Sequence, residues 1–203
     1  MSNLIQRFHA TTFLTSANQL NQLPDNDGRE VAFAGRSNAG KSSALNALTS
    51  QNTLARTSKT PGRTQLINYF EVDEKSYLVD LPGYGYAKVP ERIRLHWRSV
   101  LQGYFETRKN LVGLVMLMDV RHPLTPLDLQ MLEWCEAQNL PTHILLTKAD
   151  KLKRGPAKTA LFQVQAALKE FKMPVTVQLF SATDHTIGLQ DALKVLNEWL
   201  PRD

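Results

Sequence analysis

Apolar and polar positions along this chain fall into two rhythms that take turns. Short apolar or alternating runs lie at 30–34, 66–72, 76–81, 111–120, 142–146 and 175–180, a length and texture that predict strands. Between them, 41–48, 91–108, 127–138, 156–171 and 189–200 carry the spacing of helices with one apolar face. Asp73-Glu74-Lys75 joins the second and third runs at hairpin length, which makes one sheet edge antiparallel. Elsewhere strands and helices alternate, so βαβ units and a mostly parallel sheet are expected. Leu111–Val120 is a nearly continuous apolar run, as a strand covered on both faces requires. Residues 1–28 are mixed and end in the turn cluster Pro24-Asp25-Asn26-Asp27-Gly28. They read as an N-terminal extension with a short helix around Thr15–Leu20, followed by a domain over 29–203.

Composition narrows this picture without redirecting it. At 203 residues the chain is long enough for one α/β domain with a full core and short for two. Its single cysteine, Cys135, excludes an intramolecular disulfide. Following Trp134 in an apolar helical stretch, it reads as a buried, inert thiol in a reducing compartment. Met1–Leu14 shows no apolar secretory core, and the longest apolar run, Leu111–Met118, falls far short of the ~20 residues that cross a bilayer. A cytoplasmic protein without a membrane partner is therefore expected. Lys and Arg number 24 against 19 acids, an excess of +5 that permits a polyanionic partner without requiring one.

In a parallel sheet, ligands gather at the C-terminal strand ends, so the loops after the strands carry the chemistry. Gly35-Arg36-Ser37-Asn38-Ala39-Gly40-Lys41-Ser42 fits G-x-x-x-x-G-K-[ST] between a predicted strand and a predicted helix, the context a phosphate-binding loop needs. Its glycines let backbone N–H groups face phosphates, and the helix N-terminus adds partial positive charge. Lys41 is expected to reach the β- and γ-phosphates, and the Ser42 hydroxyl to ligate Mg²⁺. Thr147-Lys148-Ala149-Asp150 resembles the [NT]-K-x-D element that reads guanine. A fixed carboxylate at Asp150 accepts both N1–H and the 2-amino group of guanine, whereas adenine leaves it unpaired. The aliphatic stem of Lys148 can lie over the base. In Asp80-Leu81-Pro82-Gly83, Asp80 can meet Mg²⁺ through water and the Gly83 N–H can meet the γ-phosphate. Backbone N–H groups of Ser181-Ala182-Thr183 can meet guanine O6. The segment from Ser58 to Gln65 must bring a hydroxyl to Mg²⁺ and the γ-phosphate. Thr60 and Thr64 are candidates, and Thr64 is preferred because it sits just before a strand.

In combination, GRSNAGKSS (from Gly35 to Ser43), SKTPGRTQLINYF (from Ser58), DLPGYGYAKV (from Asp80) and LLTKADKL (from Leu145) resemble the EngB family, also called YihA or YsxC. These are bacterial ribosome-biogenesis GTPases, and the resemblance runs from about residue 8 to the C-terminus. It implies a Ras-like P-loop G domain with a six-stranded sheet and helices on both faces. It further implies GTP binding, slow Mg²⁺-dependent hydrolysis and a switch role in assembly of the large ribosomal subunit. A monomer that binds rRNA rather than DNA, with a link to cell division and septation, is also implied. Carried over by position, Gly35–Ser43 bind phosphates. Ser42, Thr64 and Asp80 serve the metal, with Gly62 and Arg63 beside Thr64, and Lys41, Thr64 and Gly83 form the catalytic set. Asn38 is similar to the cation-binding asparagine of K⁺-stimulated GTPases, so K⁺ is a further expected cofactor.

In many regulatory GTPases a glutamine follows the D-x-x-G glycine and orients the attacking water. Here that residue is Tyr84, a departure that EngB-like proteins share and that suggests slow turnover. It also keeps open a second reading, a non-hydrolysing GTP- and GDP-binding scaffold in division. A metabolic P-loop kinase conflicts with the TKAD element. Basic residues gather at Arg56, Lys59 and Arg63, at Arg92, Arg94 and Arg98, and at Lys148, Lys151, Lys153 and Arg154. These permit an rRNA-facing surface, while each cluster alone also suits a solvated face. The five histidines lack metal-ligand spacing and read as structural.

Overall fold

The computed structural model describes residues 3–55, 66–85 and 91–202, with backbone alone at 93, 94 and 97. Its strands are β1 (Thr12–Ala17), β2 (Arg29–Gly35), β3 (Ile67–Asp73), β4 (Ser76–Asp80), β5 (Leu111–Asp119), β6 (Thr142–Thr147) and β7 (Val175–Leu179). Its helices are α1 (Asn3–His9), α2 (Lys41–Leu48), α3 (Glu91–Thr107), α4 (Pro126–Ala137), α5 (Arg154–Leu168) and α6 (Leu189–Trp199).

The sheet order is β1-β3-β4-β2-β5-β6-β7. From β4 to β7 all pairings are parallel, and β3 runs antiparallel to both β4 and β1. Side chains of a strand alternate between sheet faces, and both faces are covered here. Val31, Phe33, Val115, Leu117 and Leu145 meet α1, α2 and α6 through Phe8, Leu45, Leu48, Leu193 and Leu196. Ala32, Ala34, Leu114, Met116 and Ile144 meet α3, α4 and α5 through Tyr104, Leu132, Cys135 and Val164. Strand β5 is therefore buried on both sides, which explains its unbroken apolar run. Cys135 is fully buried, and burial pushes its thiol up to about 12, so it is inert.

The sheet has seven strands where six were expected, and the added one comes from the segment set before the domain. The short helix expected around Thr15–Leu20 is instead the end of β1, followed by a single 3₁₀ turn at Leu20–Gln22. Strand β1 leaves Phe13 and Leu14 exposed, so its apolar content gave no clean alternation to read. What holds the segment is distant in sequence. The Arg7 guanidinium is buried and donates to Asp73 (2.7 Å), Ser76 (2.9 Å), Asn197 (2.8 Å) and the Leu200 carbonyl (2.5 Å). It thus joins the start of the chain to the β3–β4 turn and the end of α6.

The chain leaves β2 for α2 on one face and reaches β5 through α3 on the other. The strand order diverges at β2, and the resulting crevice lies at the C-terminal ends of β2, β4, β5 and β6.

Candidate functional site

Strand β2 ends at Gly35, where a Cβ would stand 2.9 Å from the Leu117 carbonyl oxygen, so only glycine lets the loop pass β5. The Ala39 N–H donates to the Arg36 carbonyl (3.0 Å), and Gly40 turns the chain into α2 with φ of 91°, in the left-handed region. Lys41, Ser42 and Ser43 form the first turn of α2, whose N–H groups have no partner within the helix. These groups and the helix dipole face the crevice.

Thr147 and Lys148, at the end of β6, fasten this loop from behind. The Thr147 hydroxyl donates to the Ala39 carbonyl (2.5 Å), and the Lys148 ammonium donates to the Asn38 carbonyl (2.7 Å). A trans peptide is planar, so holding the Ala39 C=O outward aims the Gly40 N–H the opposite way, into the loop. Lys148 also pairs with Asp119 (2.9 Å), which accepts two bonds from the Arg121 guanidinium (2.8 and 2.6 Å). Asp119 and Arg121 belong to no motif and were missed in the sequence. The available signal was an acid closing an otherwise apolar strand.

Two residues beyond Lys148, the Asp150 carboxylate accepts from the Ser181 hydroxyl (2.7 Å) and pairs with Lys151 (2.9 Å). The Ser181 bond, against burial and with help from Lys151, holds the Asp150 carboxyl below its usual range, so it is an ionised acceptor at neutral pH. The Ser181 hydroxyl also accepts from the N–H of Asp184 (2.9 Å) and of Thr183 (3.2 Å). The Ser181 N–H donates to the Ile187 carbonyl (3.1 Å). Of the N–H groups expected to read O6, those of Ser181 and Thr183 are thus engaged. That of Ala182 has no hydrogen bond among the described residues.

Across the crevice, Asp80 closes β4 and forms an ion pair with Lys41, both side chains largely buried. The expected phosphate cation and the expected metal-side carboxylate hold each other. After Leu81, Pro82 and Gly83, Tyr84 bonds to the phosphate loop through its backbone: the Ser37 N–H donates to its carbonyl (2.8 Å), and its own N–H donates to the Gly35 carbonyl (3.3 Å). Its hydroxyl donates to Asp128 (3.1 Å), the buried acid of the α4 capping box with Thr125. Burial first, and then the neighbouring Asp128 charge, raises the Tyr84 phenol well above its usual value, so it remains a donor.

The structure therefore brings Gly35–Ser43, Asp80–Gly83, Thr147–Asp150 and Ser181–Thr183 to one crevice. Thr60, Gly62, Arg63 and Thr64 lie outside the described residues, as do Arg56, Lys59, Lys88 and the Arg94 side chain. Among the expected basic clusters, Lys148 and Lys151 are engaged at the crevice, while Arg92, Arg98, Lys153 and Arg154 are exposed. Among the described residues, no group of three or more His, Cys, Asp or Glu could hold a metal ion, and no helix is long and apolar enough to cross a membrane. Both His143 ring nitrogens are within hydrogen-bond distance, of Thr176 (2.7 Å) and Gln178 (2.9 Å), a structural arrangement.

Residues 30–148 match the family described as 50S ribosome-binding GTPases. The probable GTP-binding protein EngB of Nitrosococcus oceani is 54% identical over 200 residues, covering 98% of each chain. That of Pasteurella multocida is 53% identical over 199 residues, covering 98% of this chain and 97% of its own. A crystal structure of a probable GTP-binding protein engB superposes with a TM-score of 0.67 at 21% identity, over 84% of this chain and 98% of that one. Era, solved with MgGDPNP and nucleotides of 16S ribosomal RNA, gives a TM-score of 0.65 at 20% identity, over 88% of this chain and 59% of that one.

Proposed function

Since this chain belongs to the EngB family of GTP-binding P-loop GTPases, we propose that it hydrolyses GTP slowly with Mg²⁺ and acts as a nucleotide-controlled switch on the large ribosomal subunit or its precursor. The observation that carries the nucleotide reading is the fastening of Thr147 and Lys148 to the carbonyls of Ala39 and Asn38. It makes the phosphate loop and the base-reading segment one rigid unit, with the ionised Asp150 on the same segment.

On binding, Lys41 exchanges the Asp80 carboxylate for the β- and γ-phosphate oxygens, a partner of greater charge. Asp150 accepts N1–H and the 2-amino group of guanine, the Lys148 stem covers the base, and the Ala182 N–H donates to O6. Two described residues fit a metal that keeps several waters, Ser42 with a hydroxyl and Asp80 with a carboxylate once Lys41 leaves it, and Thr64, outside the described residues, is proposed as the third group. Held there, Mg²⁺ would supply charge neutralisation to the phosphates. Gly83 offers its N–H to the γ-phosphate. Tyr84 supplies no amide to orient water, and its hydroxyl is engaged by Asp128, which supports slow turnover. The same observation favours the second reading, a non-hydrolysing scaffold in division. Asn38 is the proposed K⁺ ligand, and equal turnover in K⁺ and Na⁺ would remove that role.

For the partner, the family description and the exposed Arg92 and Arg98 on α3 support an rRNA surface. Cytoplasmic placement and a monomeric state complete the proposal. Three measurements test it. The chain is expected to bind GDP and GTP but not ADP or ATP, and Asp150→Asn to move its preference to xanthine nucleotides; tight ATP binding would refute the base assignment. Co-sedimentation with large subunits is expected to be stronger with a non-hydrolysable GTP analogue than with GDP and to weaken with salt. Phosphate release measured with and without subunits separates the switch from the scaffold.

A further inference from the structure

Strand β5 is apolar until its last residue, Asp119, which is 7% exposed. A carboxylate there is costly unless it is paired. Its Oδ1 accepts from the Arg121 N–H (3.0 Å) and Arg121 Nε (2.8 Å), and its Oδ2 from Arg121 Nη2 (2.6 Å) and Lys148 Nζ (2.9 Å). From these shared contacts we infer that Asp119 and Arg121 are positioning residues for Lys148, setting the register between the phosphate loop and the base-reading loop. The inference rests on reading this crevice as the guanine-nucleotide site.

The geometry argues for a clamp rather than a casual surface pair. Lys148 has φ of 59° and Asn38 φ of 64°, both in the left-handed region that costs a non-glycine residue strain. One ammonium joins them, donating to the Asn38 carbonyl on one side and Asp119 on the other. Arg121 grips the carboxylate by two nitrogens, a planar fork that fixes its rotation and leaves Oδ2 facing Lys148. The Arg121 hydrogen bonds, and after them Lys148, hold the Asp119 carboxyl well below its usual range against burial, so the clamp stays charged at any physiological pH. Two cations share one carboxylate. Removing the carboxylate charge leaves two adjacent cations and drives Lys148 off the loop, whereas removing Arg121 leaves a neutral pair that is free to rotate.

The test is a double-mutant cycle on the dissociation rate of a fluorescent GDP analogue. Asp119→Asn is expected to raise that rate about tenfold to a hundredfold, and Arg121→Gln by about threefold. In a Lys148→Ala background neither substitution is expected to raise it further, because the group they position is gone. Effects that multiply in the double variants, or a rate unchanged by Asp119→Asn, would overturn the positioning role; a merely structural acid would lower the melting temperature without coupling to Lys148. If Asp119→Asn does not fold, the cycle between Arg121, whose side chain is 44% exposed, and Lys148 decides on the same criterion. Failure of the wild type to bind the analogue would overturn the nucleotide reading itself, whereas binding with an additive cycle would overturn the clamp alone.

Discussion

At the N-terminal end of β2, Glu30 is fully buried and wholly enclosed. Arg108 donates to both its oxygens (2.5 to 3.1 Å), and Asn26 (3.0 Å), Tyr69 and Tyr104 (3.2 Å each) complete its shell. At the C-terminal end of the same sheet, Lys41 and Asp80 are paired in a crevice, and the proposed function gives each another role once nucleotide arrives. The first region is charge satisfied within the fold: both Glu30 oxygens accept from several donors of the fold itself. The second, on the proposed function, is charge held in reserve, to be released when a stronger anion displaces the carboxylate. Burial and ion pairing alone do not distinguish a structural network from a working site. What distinguishes them is whether the partner can be exchanged at an open strand end.

The largest effect expected from this contrast is on stability. Arg108→Ala leaves Glu30 buried without a counter-charge, and is expected to cost about 3–5 kcal/mol in urea denaturation. GDP affinity of the folded fraction should change less than about twofold, since the two regions share no partner. A large loss of GDP affinity would break the separation between the two ends.

Next comes Lys41→Ala. Loss of the charge-assisted bonds to phosphate is expected to weaken GDP and GTP about a hundredfold in calorimetry, since such bonds are worth about 1.5–3 kcal/mol each. If it destabilised the nucleotide-free chain as much as Arg108→Ala and left binding intact, the Lys41–Asp80 pair would be structural after all.

Acid should separate the regions further. Ser76 and Arg7 outweigh the burial that raises Asp73, and Arg121 and Ser181 chiefly hold down Asp119 and Asp150; all three carboxyls are depressed in the fold. A depressed carboxyl adds stability above its unfolded value, near 3.9, and loses it as pH falls through the folded value. Burial also lowers His143, which therefore takes up protons more readily unfolded and loses stability as pH falls below about 6.5. Unfolding free energy should decline gently below about pH 6.5 and steeply below about pH 4, with His143→Gln abolishing the upper step. A stability maximum near pH 3 to 4 would contradict both assignments.

The smallest effect should come from Tyr84→Phe, at the junction of loop and α4. Losing the bond to Asp128 is expected to cost about 0.5–1.5 kcal/mol in the nucleotide-free chain. Asp128→Ala should cost more, because the α4 cap goes with it. Equal costs would mean that the cap contributes nothing.

Much of this was legible in the chain itself. The strands and helices after residue 29 follow local apolar rhythm, and boundaries such as Lys41–Leu48 coincide because a glycine-rich turn and an N-terminus are local events. The phosphate loop, TKAD and D-x-x-G are legible for the same reason: backbone geometry over a few residues suffices to present N–H groups, a cation or a carboxylate. Tertiary structure alone decided the seventh strand, since β1 pairs with β3 and Arg7 in the preceding α1 reaches Asp73 and Leu200, contacts spanning 66 and 193 residues that no local pattern encodes. It alone paired Lys41 with Asp80, turned Tyr84 toward Asp128, and set Asp119 and Arg121 behind Lys148. Periodicity records which face of an element is dry, and a motif records what a short backbone turn can present. Which charges then meet across strand ends depends on sheet order, and sheet order is a property of the whole packed core.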